Sequence, residues 1–251
     1  LLTESGSVFV QIGDENVHII RSLLEEIFGK SNFVSLITVQ KTTSSTNPFL
    51  SNVADYIVWF SKNINSLKYR NIYKEKGYYS GGAEHYNTIK FQDGIVRNIT
   101  PDEKSGVTDL PTGARPFTSG DLQSAAMGRD KGEGAASWFR ITVHGKDFYP
   151  SNKARWKTNE IGMARLIKSD RILPQKSASR YIRYIDDFSV YSLHNIWSDM
   201  GGASNKLYVV ETTPRVIQRC LLMTTDPGDL VLDPTCGSGT TATVAEQWGR
   251  R

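Results

Sequence analysis

The sequence predicts an α/β fold, and three observations carry that prediction. Over residues 1–60, short apolar runs flank a segment whose apolar residues recur at helical spacing. Near the C-terminus an apolar run meets a glycine-rich turn and then a helix start. Between them lies a long middle with many turn signals and no clean period. A chain of 251 residues, 39% hydrophobic, can bury its core as one large or two small domains.

Ser7-Val8-Phe9-Val10-Gln11-Ile12 is a short, mostly apolar strand candidate. Asp14 is placed to cap the next helix, in which Val17, Ile20, Leu23, Leu24, Ile27 and Phe28 recur with helical period and Gly29 marks the end. Residues 33–39 and 54–60 read as two further strands, joined by a polar loop over 42–52. Strand, helix, strand, loop, strand matches the second half of a Rossmann-like sheet whose last two strands form a hairpin. Residues 1–6 read as the end of a helix. From Ser66 to Lys206 the signals are turns: Gly81-Gly82, Thr112-Gly113, Ser119-Gly120, Gly132-Glu133-Gly134 and Gly201-Gly202. This stretch is expected to be an irregular α+β insertion. Thr213 and Pro214 suit the N-cap and first position of a helix. Leu230-Val231-Leu232, after Pro227-Gly228, reads as a short buried strand.

The turn that follows has the form Gly237-x-Gly239-x-x-Ala242. The first glycine permits a tight turn, the second lets a ligand approach the backbone, and the small third residue lets helix and strand pack closely. Free N–H groups of the new helix then face the ligand. A phosphate-binding P-loop is disfavoured, because no Gly-Lys-Ser/Thr follows the first glycine at the required spacing. A nicotinamide site is disfavoured, since Asp233-Pro234 stands where such sites place glycine. The ribose-binding acid expected about twenty residues further on would fall beyond Arg251. The glycines alone also fit a plain strand-to-helix turn of any α/β protein.

Charge divides the chain. Residues 1–60 carry a net −3, 61–150 a net +3, 151–183 a net +7 and 184–251 a net −3. In the basic middle, cations and aromatics interleave, which suits a polyanion partner. Lys153, Arg155, Trp156, Lys157, Arg180 and Arg183 are the candidate contacts, because Lys and Arg neutralise phosphates and aromatics stack on bases. The bland alternative is core aromatics with snorkelling cations. No run of about 18 apolar residues suggests a membrane span, and the N-terminus lacks the layout of a signal peptide. Cys220 and Cys236 make neither a disulfide framework nor a zinc site, and a reducing cytoplasm suits them. His18, His85, His144 and His194 show no ligand spacing, and Asp186-Asp187 reads as a strand end or turn rather than a metal pair. No metal is expected.

The run Asp233-Pro234-Thr235-Cys236-Gly237-Ser238-Gly239-Thr240-Thr241 closely resembles the cofactor motif of S-adenosylmethionine-dependent DNA methyltransferases that modify an exocyclic amino group. That motif has the pattern Asp-Pro-(Phe/Thr/Cys)-x-Gly-Ser-Gly-Thr-Thr. The likeness extends upstream through Val209-Val210-Glu211-Thr212-Thr213-Pro214, which looks like the segment closing over the methionine end. The order of elements resembles the class whose catalytic motif precedes the cofactor motif, and is close to adenine-type modification subunits of restriction systems. The resemblance implies a partial Rossmann-like methyltransferase sheet at 1–65, a target-recognition region at 66–206 and the cofactor part of the catalytic core at 207–251. It implies S-adenosylmethionine as cofactor, held by Thr213, Pro214 and residues 233–241. The loop at 42–49 would rim the base pocket. The substrate would be duplex DNA methylated at adenine N6, in a prokaryotic cytoplasm, with a restriction subunit or a second copy as protein partners. No Pro-Pro dipeptide occurs in the sequence. The catalytic loop of that class is therefore expected upstream of Leu1, no catalytic residue is assigned within the chain, and the chain alone is expected to be inactive. Cytosine N4, a recognition module without catalysis, and a NAD(P)-dependent oxidoreductase are the competing readings.

Overall fold

The computed structural model describes residues 1–42, 48–77, 81–125, 130–176, 178–200 and 213–251. The chain forms two compact units, Leu1–Tyr73 together with Ser192–Arg251, and Lys74–Tyr191.

In the first unit, β1 (Ser7–Ile12), α1 (Val17–Phe28), β2 (Phe33–Gln40) and β3 (Ala54–Ser61) follow in chain order. Their sheet has the order β1-β3-β2, completed by the short strand Ile196–Trp197. The hairpin expected of β2 and β3 is present as an antiparallel pair, β1 pairs antiparallel with β3, and Ile196–Trp197 runs parallel to β2. Side chains alternate across a strand, so β3 feeds two cores. Val58 and Phe60 pack under α1 with Leu24, while Ile57 and Trp59 meet Trp197 and the helix Pro214–Thr224 through Val216, Cys220 and Met223. This two-sided burial explains why β3 reads as a nearly continuous apolar run. Gly29 ends α1 at φ +84°, its N–H donating to the Glu25 carbonyl.

Three expectations are corrected in this unit. Asp14 does not cap α1. It lies in a 3-10 turn, Asp14–Asn16, that leads into the helix, and α1 has no side-chain cap. Residues 1–6 are a turn closed by Gly6 N–H on the Thr3 carbonyl, not a helix end. Residues 230–232 are not a strand: Leu230 is 81% and Leu232 66% exposed, and the Val231 N–H donates to the Arg251 carbonyl at 2.6 Å. Apolar content permits a strand, but a strand needs a ladder, and here the backbone meets a single residue, Arg251, whose own N–H donates to the Asp229 carbonyl.

The second unit is more regular than its sequence. Five strands form an antiparallel sheet in the order Ile172–Pro174, Ser179–Tyr184, Arg115–Asp121, Thr88–Lys90, Val96–Asn98. Most are three residues long, too short to display a period. A second core gathers Leu122, Ile141, Val143, Phe148, Trp156, Met163 and Ile172. The helix Pro101–Ser105 starts with a capping box between Thr100 and Glu103, and Glu103 also receives the Arg97 fork. Asp186 and Asp187 lie in the turn Ile185–Asp187, where they pair with Arg115 and Arg171. The Asp pair is thus a turn, as its sequence suggested.

Candidate functional site

The helix Pro214–Thr224 begins at the expected place. Thr213 is its N-cap and Pro214 its first residue, but the Thr213 side chain makes no capping hydrogen bond. The helix ends above a charged turn in which Lys68 bonds Asp226 and Asp229 at 2.6 and 2.7 Å. The Lys68 ammonium holds both carboxyls below the usual carboxylate range, and they raise the ammonium in return. No local pattern points to this brace, because its members lie 158 and 161 positions apart.

Residue 233 opens the glycine-rich loop. The Asp233 carboxylate accepts from the Thr241 hydroxyl at 2.6 Å, and from the Thr235 N–H and hydroxyl at 3.0 and 2.9 Å. These donors, Thr241 foremost, hold the carboxyl below its usual range against partial burial. Asp233 thereby ties the start of the loop to the first turn of the helix Thr240–Gln247. Between them Gly237 and Gly239 adopt φ +51° and +79°. Gly239 donates to the Cys236 carbonyl at 2.7 Å, and its own carbonyl accepts from Thr243 N–H as the helix begins. A side chain at φ +79° is strained, yet a Cβ built on Gly239 meets nothing within 4 Å. The glycine therefore keeps the turn left-handed and its surface open. Both helices begin without a side-chain cap, and at the first of them Val216 N–H donates to the Thr213 carbonyl at 3.0 Å. Leu221, Val244 and Ala245 bury against one another with Ile217 and Val231, which packs the two helices into one body. Cys236 is exposed on the loop. Cys220 is buried, and burial pushes its thiol up to about 12. Such a surface, open at Gly239 and set at the starts of two helices, fits a polar, partly charged cofactor such as S-adenosylmethionine.

All six proposed nucleic-acid contacts fall in the second unit. Lys153, Lys157 and Arg183 are exposed, while Arg155 and Arg180 are half-buried. Arg180 pairs with Asp121 at 3.1 Å, and it shares a strand with Arg183 at a three-residue offset, so the two point to opposite faces. Trp156 is corrected from contact to core: it is 1% exposed, and its indole N–H donates to the Phe139 carbonyl at 2.8 Å. No base can reach that ring. In the loop at 42–49, positions 43–47 lie outside the described residues, as do 209–212 of the upstream motif. Phe49 stands 89% exposed.

The DNA methylase family matches this sequence over residues 1–251. The chain belongs to that family. As a DNA methylase it is 24% identical over 260 residues to the type II methyltransferase M.EcaI of Enterobacter cloacae, matching all of this chain and 50% of the relative. It is 24% identical over 312 residues to a probable type III restriction-modification HindVI Mod subunit of Haemophilus influenzae, again over all of this chain and 39% of the relative. A third likeness, 32% over 92 residues, is to the type II methyltransferase M.BamHI of Bacillus amyloliquefaciens, covering 32% of this chain. The methylase chain thus spans half or less of the length of these curated relatives. Among the described residues no cluster of His, Cys, Asp and Glu could hold a metal ion, and no helix is long and apolar enough to cross a membrane.

Proposed function

We propose that this chain is the cofactor-holding and DNA-holding part of an enzyme that methylates adenine N6 in duplex DNA. The observation that carries the reading is the loop at 233–241, left-handed at both glycines, open at Gly239 and leading into an uncapped helix. S-adenosylmethionine supplies an activated methyl group on a sulfonium centre. Gly237 and Gly239 let it approach the backbone, Asp233 keeps the loop in shape through Thr235 and Thr241, and Thr213-Pro214 border its carboxylate end at the start of the second helix. Lys153, Arg155, Lys157, Arg180 and Arg183 hold the DNA backbone while the target base leaves the stack. The preference for adenine rests on the likeness to modification subunits, as does a restriction subunit for partner. A prokaryotic cytoplasm is the setting this reading proposes.

The test uses the protein at its full natural length. Isothermal titration with S-adenosylmethionine and with duplex DNA should show binding of both, and digested product DNA should contain N6-methyladenine by mass spectrometry. N4-methylcytosine instead would move the target base. DNA binding without cofactor binding would leave a recognition module, and stabilisation by NAD(P) but not by S-adenosylmethionine would sink the reading. In the same titration Gly239→Val should lose cofactor binding while the far-UV spectrum and melting stay cooperative.

A further inference from the structure

The helix Glu160–Lys168 lies on the second unit with one face inward and the opposite face out. Met163 is 1% exposed within the second core, and the partly buried Leu166 packs against the same cluster. Residues three or four apart share a face of a helix, so Ile161, Ala164, Arg165 and Lys168 make up the opposite stripe. All of them are exposed, Ile161 by 65%.

Most arginines of this unit are engaged by carboxylates. Arg97, Arg115, Arg140, Arg171 and Arg180 each pair with an Asp or Glu. Among the described residues, the side chains of Arg165, of Lys157 just before the helix and of Lys168 at its end make no hydrogen bond or ion pair. Residues 151–183 contain only two carboxylates. Asp170 is bound by Lys90, and Glu160 sits in the first turn of the helix, where the dipole favours it. The cations of the stripe are thus left for an anion outside the unit.

Cations alone would suit any row of phosphates. This stripe has more: an exposed isoleucine and a small alanine stand beside the arginine. An apolar side chain has nothing to meet on a phosphate, whereas the major groove presents the thymine methyl. Ala164 lets the helix backbone come close. Arg165 carries a planar fork of donors that matches guanine O6 and N7. Nine residues rise about 13 Å, a length that suits a major groove roughly 12 Å wide.

We propose that the outward face of this helix enters the major groove and reads the target sequence. Arg165 meets a guanine and Ile161 a neighbouring thymine methyl, while Lys157 and Lys168 hold phosphates at the two ends. The inference rests on the DNA-holding role proposed above for the second unit. It assigns sequence choice to one helix face and leaves register to the phosphate contacts.

The test presents a randomised duplex library to the full-length protein and to its Arg165→Ala, Ile161→Ser and Lys168→Ala variants, and sequences the bound duplexes. In parallel, N6-methyladenine is measured on DNA carrying the motif that the wild type enriches. The replaced side chains are exposed, so the variants should melt with the wild type. Arg165→Ala should lose the preference for guanine at one position of the motif by roughly tenfold and keep the preferences elsewhere. Lys168→Ala should weaken binding to every sequence alike and lower the salt slope by about 1. An unchanged motif in Arg165→Ala overturns the proposal, and so does a loss spread equally over all sequences, which marks a phosphate contact. If Arg165→Ala melts low, Ile161→Ser decides by the same criterion, with thymine as the base lost. A wild type that enriches no motif overturns the inference as well. A wild type that enriches a motif shifted by Arg165→Ala, yet methylates nothing, supports the reading helix and defeats the methyltransfer, so the two failures are distinct.

Discussion

Gly239 shows how one residue sets the chemistry of a loop. Its φ of +79° lies where a side chain costs about 1 kcal/mol, yet no atom stands where its Cβ would be. The strain alone is too small to unfold the unit, so the loss expected of Gly239→Val belongs to the ligand's approach and to the turn's shape. The two cysteines differ just as sharply. Cys220 is buried with its thiol pushed up to about 12, so it holds almost no thiolate at neutral pH, while Cys236 is exposed on the loop. Brief treatment of the native full-length protein with iodoacetamide should alkylate Cys236 and spare Cys220, as mapped by peptide mass spectrometry. Saturating S-adenosylmethionine should slow the Cys236 reaction. Equal rates with and without cofactor would remove the loop from the binding site.

Among elements, the helix Pro101–Ser105 has the clearest electrostatic signature. Glu103 closes the capping box on Thr100 and receives both Nη groups of Arg97, and the Arg97 fork foremost pulls its pKa down to about 2. A carboxyl with a lowered folded pKa contributes its full stability above its ordinary value, and loses it as pH falls through the lowered one. Glu103→Gln should therefore melt below the wild type at pH 7, with the gap closing between pH 4.5 and 2. A gap independent of pH over that range would mean that packing, not charge, makes the difference. The strands teach a separate lesson. β1, β2 and β3 were legible because each has six to eight mostly apolar residues. The sheet of the second unit was not, because three-residue strands such as Thr88–Lys90 carry no period to read. In α1 the period was right and the buried face narrower than it implied: Leu24 is buried, but Leu23 and Ile27 are 48% and 62% exposed.

For the molecule as a whole, the proposed nucleic-acid contact rests on charge by segment, with a net +7 over residues 151–183. Lys153 and Lys157 are exposed there, so replacing both with alanine should weaken duplex binding by the full-length protein and reduce the slope of log K against log salt by about 2. An unchanged slope would move the DNA contact elsewhere. The sequence by itself determined the family, through Asp233-Pro234 and the glycines that follow, and the helix start at Thr213-Pro214. These are local matters: backbone torsions, a cap position and a motif read in order along the chain. Only the tertiary structure decided that Trp156 is core, that Leu230 and Leu232 are exposed, and that Asp233 spends its oxygens on Thr235 and Thr241. Burial and pairing depend on which distant segments meet, and an apolar or polar residue carries no record of its eventual neighbour.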